Sequence, residues 1–338
     1  MVKYLGSKRL LLPAIVETVR ALGDVQSVVD VFSGTSRVGH ALKREGFQVL
    51  ANDHNAYAAA LARCYVEADA EAVSAQAAAL LAELNELPGE PGYFTATFCE
   101  RSRYFQPKNG ARVDAIRADI ARRRLPAALE AVLLVSLMEA ADRVDSTTGV
   151  QMAYLKQWAS RSERDLTLRL PELLPRAAAG AGRATQLDAL EAVQTTPADL
   201  VYLDPPYNQH SYLGNYHIWE TLVRWDAPET YGVAQKRVDC RERRSTFNSR
   251  REIGASLAAV VRAVQARYLL VSFSNEGFLT REALEALLSE RGEVTVVEHD
   301  FKRYVGAQIG IHNPAGEKVG TVSHLRNKEY LFLVRVAR

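Results

Sequence analysis

Leu200-Val201-Tyr202-Leu203-Asp204-Pro205-Pro206-Tyr207 reads as an apolar strand running directly into a rigid polar turn. A continuous apolar run of this kind suits a strand buried on both faces of a parallel sheet, and such sheets put their chemistry beyond their carboxyl edge. Two adjacent prolines offer no backbone donors and hold the chain extended, so a carboxylate, a proline carbonyl and an aromatic ring arrive together in a crevice. The set suits a planar ring bearing an amine, with two acceptors for its NH₂ and one face for stacking. A strand end closed by a Pro-Pro turn, with Tyr207 packed as core, would give the same tetrapeptide.

Working outward, Ser27-Val28-Val29-Asp30-Val31-Phe32 is an earlier apolar run that stops at Ser33-Gly34-Thr35-Ser36 and passes into a helical pattern over Arg37–Arg44. This is a first βα turn, which exposes N–H groups at a helix N-terminus. The next strand, Gln48–Asn52, ends at Asp53, about twenty residues beyond the glycine turn, where an acid meets the ribose of a bound nucleoside. A helix cap plus a surface Asp is the plain alternative.

These stretches resemble the AdoMet-dependent adenine-N6 DNA methyltransferases, in the Dam-like group whose recognition region interrupts the catalytic fold. The resemblance spans nearly the whole chain. Tyr4, Gly6, Ser7 and Lys8 in Lys3–Lys8 look like that family's amino-terminal cofactor motif, and Asp30, Phe32, Ser33, Gly34, Thr35 and Ser36 look like its F-x-G loop. Asp53 matches the ribose acid, and Asp188 with Ala189 matches the site of the acid that meets the cofactor adenine. Asp204, Pro205, Pro206 and Tyr207 match the catalytic D-P-P-Y, with Asp204 also facing the cofactor. Ser36 stands where the family usually carries a second glycine. The resemblance implies S-adenosyl-L-methionine as cofactor, double-stranded DNA as partner, a flipped adenine stacked on Tyr207, and its amine held by Asp204 and the Pro205 carbonyl. Asn208, Arg243, Arg244, Phe247, Asn248 and Arg250 are the expected nucleic-acid contacts. His210, a lone loop histidine, stays outside the catalytic set.

Length and composition agree. With 338 residues and 48% hydrophobic content the chain holds about two domains. Three cysteines without paired spacing, Cys64, Cys99 and Cys240, argue against disulfides and zinc and fit a reducing cytosol, so no metal and a cytoplasmic location are expected. No run approaches a membrane span. A net charge of only +2 puts nucleic-acid binding on a local surface. The stretch Lys236–Arg251 supplies one, with seven basic residues against two acids, unless it is only a solvated loop.

The expected fold is an α/β, Rossmann-like sheet of parallel type over residues 1–67 and 183–338, with strands at 27–32, 48–52, 183–187, 200–203, 268–273, 294–298 and 330–336. Between them, residues 68–182 read as an inserted helical target-recognition domain with helices near 70–87, 111–123 and 126–144, and turns at Gly89–Gly92 and Lys108-Asn109-Gly110. Arg103, Tyr104, Phe105 and Trp158 mix basic and aromatic character there, as a base-reading surface or as the lobe's own core. Lys302–Gly306 and Arg326–Tyr330 read as a basic hairpin beside the last strand. Three other functions remain open: cytosine-N4 methylation, methylation of RNA or a protein amide, and DNA binding without catalysis. A homodimer and a restriction endonuclease partner are likewise left open.

Overall fold

The computed structural model describes residues 1–302, 311–312, 318–320 and 326–337. Its centre is a seven-stranded sheet made of β1 (Ser27–Asp30), β2 (Gln48–Asn52), β3 (Arg183–Thr185), β4 (Leu200–Leu203), β5 (Tyr268–Ser274), β6 (Gly292–Lys302) and β7 (Arg326–Val336), in the order β3-β2-β1-β4-β5-β7-β6. The first five are mutually parallel, and β1 lies between β2 and β4. The chain therefore leaves β1 in one direction and returns on its other side. That reversal opens a crevice beyond the carboxyl ends of β1 and β4.

The sheet is mostly parallel, as expected. The sheet is not parallel throughout, because β7 runs antiparallel between β5 and β6, pairing Tyr330 with Phe273 and with Glu298. Strands β6 and β7 are also longer than their apolar cores, since ladder pairing extends into the polar residues Asp300 to Lys302 and Arg326 to Glu329.

Helices α1 (Leu12–Ala21) and α2 (Arg37–Arg44) cover one face and share its core with Val28, Val49 and Leu270. Between β2 and β3 the chain forms α3 (Ala56–Ala62), α4 (Ala70–Glu86), α5 (Pro107–Arg123) and α6 (Ala127–Arg143). These helices pack into one core with Tyr216, Ile218 and Trp219 of the segment that follows β4. The opposite sheet face is covered by α7 (Ala189–Thr195), α9 (Ile253–Ala263) and α10 (Arg281–Ser289), while α8 (His217–Arg224) leads back toward the helical layer.

Lys108-Asn109-Gly110 is not a turn but the first turn of α5, with Pro107 at its start. Proline needs no partner for a missing N–H at that position. Gly110 is there for clearance: a Cβ on it would fall 2.3 Å from Cys99 Sγ. Tyr104 and Phe105 are buried core residues, whereas Trp158 is half-buried with the Arg103 guanidinium 4.7 Å from its ring centre. Of the basic stretch at Lys302–Gly306, residues 303–306 lie outside the described residues. Among the described residues no helix is long and apolar enough to cross a membrane.

Candidate active site

The crevice at the carboxyl ends of β1 and β4 is a cavity of about 360 Å³. Its walls bring together Tyr4, Gly6, Ser7, Lys8, Asp30, Phe32, Ser33, Gly34, Thr35, Asp53, Asp188, Ala189 and Asp204, residues drawn from five separate stretches of chain. Ser36 does not line it. It sits beneath as the residue before α2, buried, at φ 58° and ψ 23°.

The floor is built by backbone. The Ser33 N–H donates to the Asn52 carbonyl at 2.9 Å, holding the turn after β1 against the end of β2. Gly34 adopts φ 51°, a left-handed conformation that costs a glycine little, and a Cβ there would meet the Tyr4 ring at 3.3 Å. Asp53 closes the corner: Oδ2 accepts from the Gly34 N–H at 3.0 Å and Oδ1 from the Asn55 N–H at 2.9 Å. On the far wall the Asp188 side chain accepts from the Leu190 N–H and so begins α7. Phe247 meets Phe32 edge-on at 5.1 Å between ring centres.

Two carboxylates face the cavity without the same support. Asp30 is buried, and neither of its oxygens has a donor at hydrogen-bonding geometry. Burial, then the nearby Asp204 and Asp53 carboxylates, push its pKa well above the carboxylate range, with the Gly39 N–H opposing them. A buried carboxyl left short of partners in a cavity wall suits a cationic ligand, which would stabilise its ionised form. Asp204 follows β4 and meets the Lys8 ammonium at 3.1 Å. Burial raises its pKa to about 6; Lys8 opposes the rise and Glu329 adds to it.

The amino-terminal segment is held over this floor by tyrosines. Tyr4 stacks on Tyr212 and Tyr216 at 5.2 and 4.5 Å between ring centres, and its hydroxyl lies 3.1 Å from that of Tyr57. The Leu5 N–H donates to the Tyr216 hydroxyl at 2.6 Å. Gly6, at φ 73°, leaves room for the Tyr212 hydroxyl, which would stand 2.9 Å from a Cβ. Gln48–Asp53 announces its role in sequence; this aromatic cluster, contributed by three distant stretches of chain, gives no local signal.

Around Asp204 the expected residues divide. Pro206 lines the cavity, and Pro205 and Tyr207 do not. The Tyr207 ring packs 5.4 Å from Phe273, and the Lys8 ammonium lies 5.6 Å from its centre. Of the expected nucleic-acid contacts, Arg243, Arg244, Phe247 and Asn248 line the cavity, whereas Asn208 and Arg250 do not. Asn248 braces the loop after the tetrapeptide, donating to the Asn208 and His210 carbonyls at 2.7 and 3.1 Å. Arg250 lies 5.2 Å from the Phe278 ring centre.

The basic stretch at 236–251 is less free than its charge count implies. Arg237 is buried and forks onto Asp226 with two bonds of 2.7 Å, while also meeting Asp239. Arg243 neutralises the fully buried Glu220 at 2.9 Å, and Arg241 covers the Tyr231 ring at 3.9 Å. Asp226 and Glu220 come from outside the stretch, so counting charges within it overstates what is left for phosphate.

Glu329, at the start of the core of β7, was read only as part of a basic hairpin. It lies 3.1 Å from the Lys8 ammonium, while its neighbour Lys328 pairs outward with Glu298. Strand alternation sends Glu329 to the same side of the sheet as Leu331, and that period is the signal that would have found it.

Known proteins of similar sequence are named as methyltransferases. The chain is 30% identical to the type II methyltransferase M.FokI of Planomicrobium okeanokoites over 86% of its own length and 47% of that protein. It is 28% identical to the type II methyltransferase M.NlaIII of Neisseria lactamica over 89% of the chain and 90% of that protein. The modification methylase StsI of Streptococcus sanguinis is 27% identical over 91% of the chain and 49% of its own length. The chain thus spans about half the length of two of these relatives and nearly all of the third. A family model for D12 class N6 adenine-specific DNA methyltransferases matches residues 4–286, and the chain belongs to that family.

Proposed function

We propose that this chain transfers a methyl group from S-adenosyl-L-methionine to the exocyclic amine of a flipped adenine in duplex DNA. The observation that carries the reading is the placement of Asp204, raised toward neutral pH, in one cavity with the Gly34 turn, Asp53 and the unpartnered Asp30. When bound, the cofactor supplies a methyl carbon made electrophilic by a sulfonium. Asp30 has the free acceptors for its cationic methionyl end, whose positive charge would favour the ionised form that burial opposes, Asp53 stands at the nucleoside end of the Gly34 turn, and Asp188 with Phe32 and Phe247 offers an acceptor and two ring surfaces for an adenine.

An amine paired inside a duplex cannot reach such a cavity, so the base has to leave the stack at a cost of a few kcal/mol. Asp204 and the Pro205 carbonyl accept its two N–H bonds and thereby orient the nitrogen lone pair. The contribution is orientation and a negative charge placed where positive charge develops. No nucleophilic side chain is required. Residues 68–182 fit a target-recognition role: the Arg103 and Trp158 pair and the loop reaching Lys156 stand on the helical layer that shares its core with α8. A restriction endonuclease partner would fit this function, since the relatives are named type II methyltransferases and modification methylases.

Incubation with labelled cofactor and mixed-sequence duplex, followed by nucleoside analysis and mapping of modified sites, tests the proposal. N6-methyladenine at one recurring sequence supports it. N4-methylcytosine would move the target to another base, and unlabelled DNA with retained cofactor binding would overturn it.

A further inference from the structure

Lys8 is a buried cation with two anionic neighbours at equal distance, Asp204 Oδ1 and Glu329 Oε2, each 3.1 Å from Nζ. Burial alone would lower its pKa, but Asp204 and then Glu329 outweigh that and hold it well above the ordinary lysine value. The ammonium is therefore charged, and one positive charge stands between two negative ones. A pair made of Lys8 and Asp204 alone would be neutral. The triad is not.

We infer that Glu329 is a positioning residue for the reaction, acting through Lys8: by sharing the ammonium it leaves Asp204 with net negative charge to accept the target amine. The inference rests on the function proposed above and assigns a role to a residue outside the span 4–286 that the family model matches. In the transfer the nitrogen lone pair forms the new N–C bond as the S–C bond breaks, the sulfonium becomes a neutral sulfide, and positive charge appears on the nitrogen. One N–H proton must then leave. Asp204 accepts it and later returns it to solvent, while Lys8 keeps its own protons throughout. A neutral Lys8–Asp204 pair would favour neither the developing cation nor the proton acceptance. An array carrying one surplus negative charge favours both, and burial keeps that charge from being screened by water.

The placement is specific. Glu329 projects from β7, a strand held on both sides, where it pairs with Ser274 of β5 and His299 of β6. Lys8 opens a short 3-10 turn, Lys8–Leu10, so neither partner is on a free loop. The other titratable groups facing these three are Tyr202 of β4, Tyr207 after it, Tyr212 of the following segment and Asp30 of β1. Lys8 is the one cation among these facing groups, so how its charge is divided decides the field at Asp204.

Glu329→Gln keeps the shape and an oxygen for Lys8 while removing the charge, and Glu329→Asp restores the charge on a shorter stem. Single-turnover methylation of duplex DNA is followed against pH at saturating cofactor for the wild-type chain and both variants, with cofactor affinity by calorimetry and thermal melting alongside. Expected for Glu329→Gln is a plateau rate lower by about tenfold or more, the factor equivalent to one pKa unit of interaction. Its acidic limb should move to lower pH, because Glu329 no longer raises Asp204. Cofactor affinity and melting should match wild type, and Glu329→Asp should recover part of the rate. An unchanged plateau and limb in Glu329→Gln would overturn the inference, as would a rate loss matched by an equal loss of cofactor affinity or melting temperature. A wild-type chain that methylates no adenine would instead overturn the proposed function, which keeps the two failures distinct.

Discussion

The Gly34 N–H donates to Asp53 Oδ2 at 3.0 Å, joining the turn after β1 to the residue that follows β2. The other oxygen of Asp53 is engaged by the Asn55 backbone and side-chain amides at 2.9 and 3.2 Å. Burial raises the Asp53 pKa, and those bonds oppose it. One carboxylate thus shapes the glycine turn and faces the cavity together. Asp53→Ala removes both contributions. We expect cofactor affinity to fall by about 1–3 kcal/mol, the cost of leaving buried donors without a partner. The rate at saturating cofactor should change far less. Calorimetry with S-adenosyl-L-methionine or S-adenosylhomocysteine checks this, and an affinity within twofold of wild type would refute it.

Asp204 should control the acidic side of the rate profile. Burial, with Glu329 adding and Lys8 opposing, places its pKa at about 6. A raised carboxyl pKa means that the ionised, accepting form dominates above that value and is lost as pH falls through it. The rate of methyl transfer at saturating cofactor and DNA should therefore drop about tenfold per pH unit below about 6, the slope of a single protonation. Asp204→Ala should lower the plateau by roughly a thousandfold, within the range for a positioned proton acceptor, while cofactor affinity stays within a few-fold. Loss of cofactor binding with the fold intact would assign Asp204 to the cofactor instead.

The sheet and its crevice were legible because their signals are local. Leu200–Leu203 is apolar at every position and emerges buried at every position, and Ser33–Ser36 lies between an apolar run and α2 as read. The antiparallel β7 was not legible, since a strand's direction is written in its partners and not in its own residues. Glu329 failed for a related reason: beside Arg326 and Lys328 it looks solvated, and only the register of β7 separates it from them. The arginines at 237 and 243 misled because their counterions, Asp226 and Glu220, lie in other segments. Gly110 shows the same limit in packing, since the sulfur that requires it belongs to a residue outside α5.

Ser36 occupies the place where the resembled family usually has glycine, and its backbone keeps the glycine-like conformation at φ 58° and ψ 23°. A left-handed residue with a Cβ costs about 1–2 kcal/mol, while glycine gives back roughly 0.5–1 kcal/mol through the freedom of its unfolded chain. The Ser36 hydroxyl returns little, its partner Ser33 Oγ being 3.5 Å away. Ser36→Gly should therefore stabilise the protein by about 0.5–1 kcal/mol in urea or thermal unfolding, with cofactor affinity equal or better. Destabilisation would mean that the hydroxyl contributes more than its geometry indicates.

Two histidines make stability fall with acid. His217, at the start of α8, is buried with Nε2–H donating to the Gln151 carbonyl at 2.9 Å, and burial lowers its pKa to about 3. His40 in α2 is lowered to about 4, by burial first and then by Arg44. Both stay neutral in the fold, whereas unfolded histidine titrates near ~6.5. The sign follows: their contribution is complete above that value and is lost as pH falls from it toward the folded values. Each should cost up to about 1.4 kcal/mol of unfolding free energy per pH unit in that window. His217→Gln keeps a donor for the Gln151 carbonyl but cannot titrate there. Its unfolding free energy, measured in urea between about pH 7 and pH 5, should decline less steeply than that of wild type, by up to one histidine's share. Equal slopes for the two proteins would show that His217 takes up its proton without unfolding the segment that joins Gln151 to α8.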